Sequence, residues 1–161
     1  MKSFLLFCSL VGLGWSARAA IAAPSLELIG RGKVIGGEAG KGFSLLKVSR
    51  SPLKSGERWV LSLGNERGEV KKGKPGYYHV ELDSEKRKIN IDLSQLQLSK
   101  VSEDQLRQIV SSSQFIAAPK MRKDPLDQTL NLEFDLKKNP RVRVYQVAGV
   151  KGTSRIVIDL K

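Results

Sequence analysis

The feature that most constrains this chain is a two-residue alternation of apolar and polar side chains, present in six separate segments. Trp59, Leu61 and Leu63 alternate through RWVLSL, Tyr78, Val80 and Leu82 through YYHVEL, and Ile89, Ile91 and Leu93 through KINIDL. Leu130, Leu132, Phe134 and Leu136 do the same in TLNLEFDLK, Val142 and Val144 in RVRVYQV, and Ile156, Ile158 and Leu160 in RIVIDL. Successive side chains of a strand point to opposite faces, so each segment predicts a β-strand with one apolar face. Such a face needs a second layer to cover it. The six segments also form two trios, each ending in the same string: a basic residue, then I-x-I-D-L, at 88–93 and at 155–160. Two equivalent three- or four-stranded sheets packed face to face would satisfy both trios. The expected fold is therefore mostly β, a β-sandwich of two small symmetric sheets, with the strand ending at Leu160 belonging to the core and closing the domain.

Between the trios lies SKVSEDQLRQIVSSSQF. Ser102 followed by Gln105 is a capping box, and Glu103 and Asp104 sit where a helix N-terminus favours acids. Leu106, Ile109 and Val110, with Ser113, share one face. One short amphipathic helix is expected, ending before Pro119 and covering an open end or edge of the sandwich. Ser111, Ser112 and Ser113 fall at its end, where serines cap or face water. Upstream, Leu26 and Leu28 suggest a short strand and GFSLLKV another, with Gly36, Gly37, Gly40 and Gly42 between them. GGEAGKG looks like a phosphate-cradling loop only superficially. Ile35 stands where the first glycine belongs, and Gly42 replaces the Ser or Thr that holds magnesium. A hairpin loop is expected instead.

The first residues, MKSFLLFCSLVGLGWSARAAIAAP, carry one positive charge at Lys2, an apolar run from Phe4 to Trp15, and two A-x-A frames. This is the layout of a secretory signal peptide, cleaved after Ala19 or Ala22, and the run is too short to span a bilayer. Cys8 does not suit a lipid attachment site, because bulky Phe7 precedes it. The resulting division is a leader at 1–22, an N-terminal extension with the Gly-rich loop at 23–44, and the sandwich domain at 45–161. Cleavage removes Cys8, the only cysteine, so no disulfide supports the fold, and no transmembrane segment remains. The expected location is the periplasm.

The full chain carries 28 Lys and Arg against 16 Asp and Glu. Lys2 and Arg18 leave with the leader, and the remaining surplus of bases suits anionic partners or simple solubility. Export makes nucleic acid the least expected of those partners. An enzyme is hard to assemble from what is left. A zinc hydrolase needs several His and Glu ligands, yet the one histidine is His79, in a strand. A Ser-His-acid arrangement fares no better. Asp92 and Asp159 occupy equivalent positions and could suggest a carboxylate pair, but they read better as repeated structural residues, each paired with a neighbouring base. A binding protein is expected, with no catalytic residue, metal or cofactor.

The second trio, TLNLEFDLKKNPRVRVYQVAGVKGTSRIVIDLK, resembles the second half of the AMIN domain, the cell-wall-targeting module of bacterial N-acetylmuramoyl-L-alanine amidases. The resemblance rests on Phe134-Asp135-Leu136, Val142-Arg143-Val144-Tyr145 and Arg155-Ile156-Val157-Ile158-Asp159-Leu160. The first trio is similar to the domain's first half through KRKINIDL, although no proline precedes that string and ERWVLSLG lacks the aspartate of the family pattern. Together these cover roughly residues 45–161. The resemblance implies a symmetric sandwich that binds peptidoglycan, or another anionic wall polymer, and localises whatever carries it. The module also occurs in type IV pilus secretins. The alternative is therefore a protein-binding accessory factor of a pilus or secretion channel, partnered by an envelope protein and without wall affinity.

Peptidoglycan offers sugar faces and free carboxylates, which suit aromatic rings and Arg forks. In RVRVYQV the alternation places Arg141, Arg143 and Tyr145 opposite Val142 and Val144, with Lys137 and Lys138 nearby. Those five, and Tyr77 with His79 near Lys71, Lys72 and Lys74, are the candidate ligand-binding residues. The same residues also suit an ordinary solvated sheet face.

Overall fold

The computed structural model describes residues 25–38, 42–70, 73–148 and 154–161. The expected leader at 1–22, and Gly40, Lys71 and Lys72, lie outside the described residues. Eleven strands and one helix follow one another along the described chain. The strands before the helix are β1 (Leu26–Leu28), β2 (Arg31–Gly36), β3 (Phe43–Leu53), β4 (Gly56–Asn65), β5 (Tyr78–Asp83), β6 (Lys88–Leu93) and β7 (Leu96–Ser99). The helix α1 (Glu103–Ser111) precedes β8 (Ile116–Lys123), β9 (Leu130–Leu136), β10 (Val142–Ala148) and β11 (Ser154–Leu160). They form a sandwich of two sheets, ordered β1-β10-β11-β4-β3-β7 and β2-β5-β6-β9-β8.

All six alternating segments are strands, and their apolar faces make the core between the sheets. Each trio is divided in the same way. Its first strand lies in one sheet, and its other two lie in the opposite sheet. β4 pairs with β11, placing Trp59 opposite Ile158, and β6 pairs with β9, placing Ile89 opposite Phe134. Each trio thus completes the sheet begun by the other. The preceding hairpin strands, β3 beside β4 and β8 beside β9, extend the same relation. Trp59 and Phe134, from the equivalent strands β4 and β9, meet across the sandwich with ring centroids 5.7 Å apart.

The sheets have six and five strands, more than the three or four expected, because β1, β2, β7 and β8 add to their edges. In β2 only Val34 is buried, and in β8 only Ile116 and Pro119 are, so neither shows sustained alternation. The segment 23–44 contributes core residues as well, since Leu28, Val34 and Phe43 are buried with the rest. The Gly-rich stretch is not a hairpin loop. β2 and β3 lie in different sheets, so the stretch crosses from one layer to the other. The crossing requires glycine for space and backbone shape. Gly37 has φ +87°, and a Cβ there would sit 2.1 Å from the carbonyl oxygen of Gly76. A Cβ on Gly76 would in turn sit 1.9 Å from the Phe43 ring.

The helix forms as its sequence dictates. Gln105 N donates to Ser102 Oγ at 3.2 Å, and Ser102 N donates to Gln105 Oε1 at 2.9 Å. Leu106 and Val110 are buried, with Ile109 packed against the core. The helix links β7, at the edge of one sheet, to β8, at the edge of the other, and so covers that side of the sandwich. Met121 N, from β8, donates to Glu103 Oε2 at 3.0 Å and fixes the helix start.

Ser113 does not face water. It is 3% exposed, donates from Oγ to the Glu57 carboxylate, and accepts from Phe115 N and Ile116 N. Glu57 itself is buried and also accepts from Trp59 Nε1 at 3.0 Å and Arg50 Nη1 at 3.2 Å. Arg50 donates onward to Ser112 Oγ at 2.6 Å. This network joins the β3–β4 hairpin to the end of the helix, and a buried carboxylate is tolerable because every donor around it is satisfied. Glu57→Ala should therefore cost about 3–5 kcal/mol in urea unfolding, and Glu57→Gln less because an acceptor oxygen remains. A loss below about 1 kcal/mol for the alanine variant would show that the joint holds without the network.

Candidate functional site

The outward-facing residues of the two sheets differ in how their charge is balanced. On the second sheet, Glu133 and Asp135 of β9 lie between Lys88 of β6 and Lys120 of β8. Lys88 Nζ is 2.6 Å from Glu133 and 3.7 Å from Asp135, and Lys120 Nζ is 3.0 Å and 3.7 Å from the same two. Hydrogen bonds from Lys88 and then Lys120 hold the Glu133 carboxyl below its ordinary range. Along the next row, His79 Nδ1 is 3.3 Å from Asp92, and Asn131 Nδ2 donates to Asp92 at 2.6 Å. Bases and acids alternate across this face and neutralise one another.

The outer face of the first sheet is built differently. Its row runs Glu27, Arg143, Asp159, Arg58 across β1, β10, β11 and β4. Asp159 is 3% exposed and accepts two hydrogen bonds from Arg58, at 2.7 Å from Nε and 2.9 Å from Nη2. That bidentate pairing raises the Arg58 pKa and locks the guanidinium plane in place. Arg58 then lies 5.8 Å from the centre of the Tyr145 ring, and Arg143 lies 5.6 Å from it. Arg143 Nη2 also donates to Ser25 Oγ at 2.8 Å. Burial pushes the Tyr145 phenol up, with the Asp159 charge adding to it, so the hydroxyl stays protonated and able to donate.

The next row places Tyr145 beside Val157 and Val60, an apolar floor at the centre of the face. Beyond it, Arg155 and Lys47 are exposed, and neither has an acid at ion-pair distance among the described residues. The arrangement is an aromatic ring on an apolar floor, flanked by guanidinium groups, one of them rigidly oriented. Chemically, it can stack against a flat apolar surface and grip an anion at the rim.

Of the residues singled out from the sequence, Arg143 and Tyr145 come together on this face. Arg141 is exposed at the start of β10, where its backbone exchanges two hydrogen bonds with Lys161 at 2.8 and 3.0 Å. Lys137 and Lys138 lie in the link from β9 to β10, at one end of the sandwich. Lys137 Nζ donates to the Ser113 carbonyl at 2.7 Å, and Lys138 Nζ sits 4.1 Å over the Phe115 ring. Tyr77 is exposed beside β5, in the second sheet, so it does not share a surface with Arg143 and Tyr145. Lys74 is exposed near it.

The sequence reading missed Arg58. The signal was present, since the alternation that buries Trp59 in ERWVLSL turns Arg58 outward. Asp159 pairs with a base as expected, and Asp92 pairs with His79 and Asn131. The two aspartates lie on the outer faces of different sheets, which pack about 10 Å apart. They therefore cannot share one site, as a glycosidase pair does. Among the described residues no three His, Cys, Asp or Glu side chains gather as metal ligands, and no helix is long and apolar enough to cross a membrane. An enclosed gap between the sheets, lined by Trp59, Phe134, Ile89 and Ile158 among others, has a volume of about 10 Å³ and gives a ligand no room.

No family model matches this chain, and no curated protein matches it.

Three carboxyls, Glu133, Asp83 and Glu103, are held below their ordinary values. The first causes are Lys88 for Glu133, the Lys86 backbone N–H for Asp83, and the Met121 backbone N–H for Glu103. A carboxyl depressed by folding stabilises the protein above its unfolded pKa, and that stability is lost as pH falls through the folded value. Thermal stability should thus hold at neutral pH and decline as pH drops below the ordinary glutamate value of 4.5. Melting curves from pH 7 to pH 3 test this, and a Glu133→Gln protein should show a shallower acid slope than the parent. An identical slope would remove the β9 ion pairs as its source.

Proposed function

We propose that this chain is a non-catalytic exported envelope protein that binds peptidoglycan, or another anionic wall polymer, through the outer face of its first sheet, and acts as a localisation or adaptor module. The observation that carries the reading is the Tyr145 ring held between the guanidiniums of Arg143 and Arg58 above Val157 and Val60. A sugar face or an alkyl stem packs on an aromatic ring, and a stem-peptide carboxylate pairs with a guanidinium fork. Asp159 is a positioning residue here, since it orients Arg58 and lies beneath the surface. The repeated I-x-I-D-L strings, their resemblance to the AMIN domain, and two sheets completed by equivalent strands all support the same reading. So does the leader, which would deliver the protein to the wall.

A second reading has its own observation. β2 is paired on one side only, by β5, and carries Arg31, Lys33 and Ile35 exposed on an edge strand. A pilus or secretion-channel protein could add a strand there. Salt separates the two, because recognition of carboxylates by exposed Arg weakens with ionic strength and backbone strand addition does so much less.

Protein begun at Ala23 should co-sediment with washed peptidoglycan sacculi at low salt and be released as salt rises. Arg143→Ala combined with Tyr145→Ala should weaken that binding by roughly tenfold, while the melting temperature changes little because both side chains face outward. Sacculus binding equal to the parent would remove this face from consideration.

A further inference from the structure

Strand register gathers four connections at one end of the sandwich. In the first sheet, Leu28, Val142, Leu160 and Glu57 stand side by side at the ends of β1, β10, β11 and β4. In the second, Arg31, Asp83, Lys88 and Asp135 do the same across β2, β5, β6 and β9. The β1–β2 corner, the β3–β4 turn, the β5–β6 turn and the β9–β10 crossover therefore share one end face, beside the last residue, Lys161.

That end is strongly basic. Lys54, Arg87, Lys137, Lys138, Arg141 and Lys161 are all exposed there, and none has an acid at ion-pair distance among the described residues. Arg31 and Lys86 share a single acid, Asp83, at 3.9 and 3.7 Å. The other carboxylates nearby are Glu27 and Glu85, both exposed, Asp135, which pairs with Lys88 and Lys120, and Glu57, which is buried and already paired. Two of the bases are pinned by neutral partners, Lys137 by the Ser113 carbonyl and Lys138 by the Phe115 ring, so they are held in position with their charge uncompensated. In the same region Ile29 is 65% exposed, at the β1–β2 corner, in a groove it shares with Ser55, Ser84, Arg141 and Lys161.

We propose that this end face docks on an anionic phospholipid surface, a contact separate from the wall-binding face and independent of it. The charge alone would suit any polyanion. The exposed isoleucine among the bases favours lipid, because a hydrated polymer offers it nothing, whereas the headgroup boundary of a bilayer can bury it. The end face is also perpendicular to the sheets, so lipid there leaves Arg143 and Tyr145 open. A protein engaged at both surfaces would tie the wall to a membrane that it does not cross.

The test uses protein begun at Ala23, which keeps the whole described core, from Leu28 to Leu160, and lacks the apolar leader that would itself enter a bilayer. The probes are phosphatidylglycerol and phosphatidylcholine vesicles, with sacculi in parallel. The parent should sediment with the first and stay in solution with the second. Each base near an anionic surface strengthens attachment by roughly fivefold. Lys54→Glu, Arg87→Glu and Lys161→Glu together should then weaken phosphatidylglycerol binding by about a hundredfold or more at moderate salt. Sacculus binding should stay within about threefold, since the two surfaces are screened from each other. Ile29→Ser should weaken vesicle binding severalfold, and a parent-like result would overturn the assignment to lipid. A parent that ignores phosphatidylglycerol, or a triple variant that binds it unchanged, overturns the proposal even if sacculus binding holds.

Discussion

The pairing of β4 with β11 and of β6 with β9 is the constraint on which the rest of this structure depends. Each strand of those pairs turns one continuous apolar face to the core, and each lies inside a sheet rather than at its edge. Removing either pairing would expose two interior strands and uncover the Trp59–Phe134 contact at once. The two trios of the sequence are therefore not two small domains side by side. Neither has enough strands to bury its own apolar faces, and both become stable when each supplies the other's missing strand.

The same exchange sets the chemistry of the outside. Because β11 is interior to its sheet, Asp159 is flanked by strands on both sides, and its carboxylate is buried beneath Arg58. A carboxylate in that position needs a bidentate partner, and Arg58 is thereby fixed against Tyr145. The equivalent aspartate, Asp92 of β6, pairs with His79 and Asn131, and its face carries interleaved acids and bases. Two strings that read alike, KINIDL and RIVIDL, thus end in different surroundings because their neighbours differ.

Much of the core was legible. Period-two alternation located β4, β5, β6, β9, β10 and β11, and the capping box located α1, because burial on one face dictates sequence directly in those elements. β2, β7 and β8 escaped because edge strands have one neighbour and little burial: β7 is too short to show alternation, and β2 and β8 are free to carry Lys, Arg, Gly and Pro. The Gly-rich stretch was misread because alternation locates strands without assigning them to sheets, and a crossover and a hairpin have similar composition. On the surface, Arg143 and Tyr145 followed from strand parity alone. Their separation from Lys137, Lys138 and Tyr77 did not, since sequence neighbours diverge wherever the chain passes from one sheet to the other. The sequence places Ser113 both on the apolar face of the helix and among its capping serines; it is the buried position that holds, with its hydroxyl donating to buried Glu57.

The hydrogen bonds between Arg58 and Asp159 join residues 101 positions apart in the chain. Between them lie hairpins that can close locally, such as β5 with β6, yet the first sheet is not finished until β11 reaches β4. Topologies dominated by such distant pairings fold slowly, because the entropy of closing a long loop is lost before the contacts that offset it are made. Until β11 is available, β4 lacks its partner on that side and the first sheet cannot fully cover the apolar face of the second.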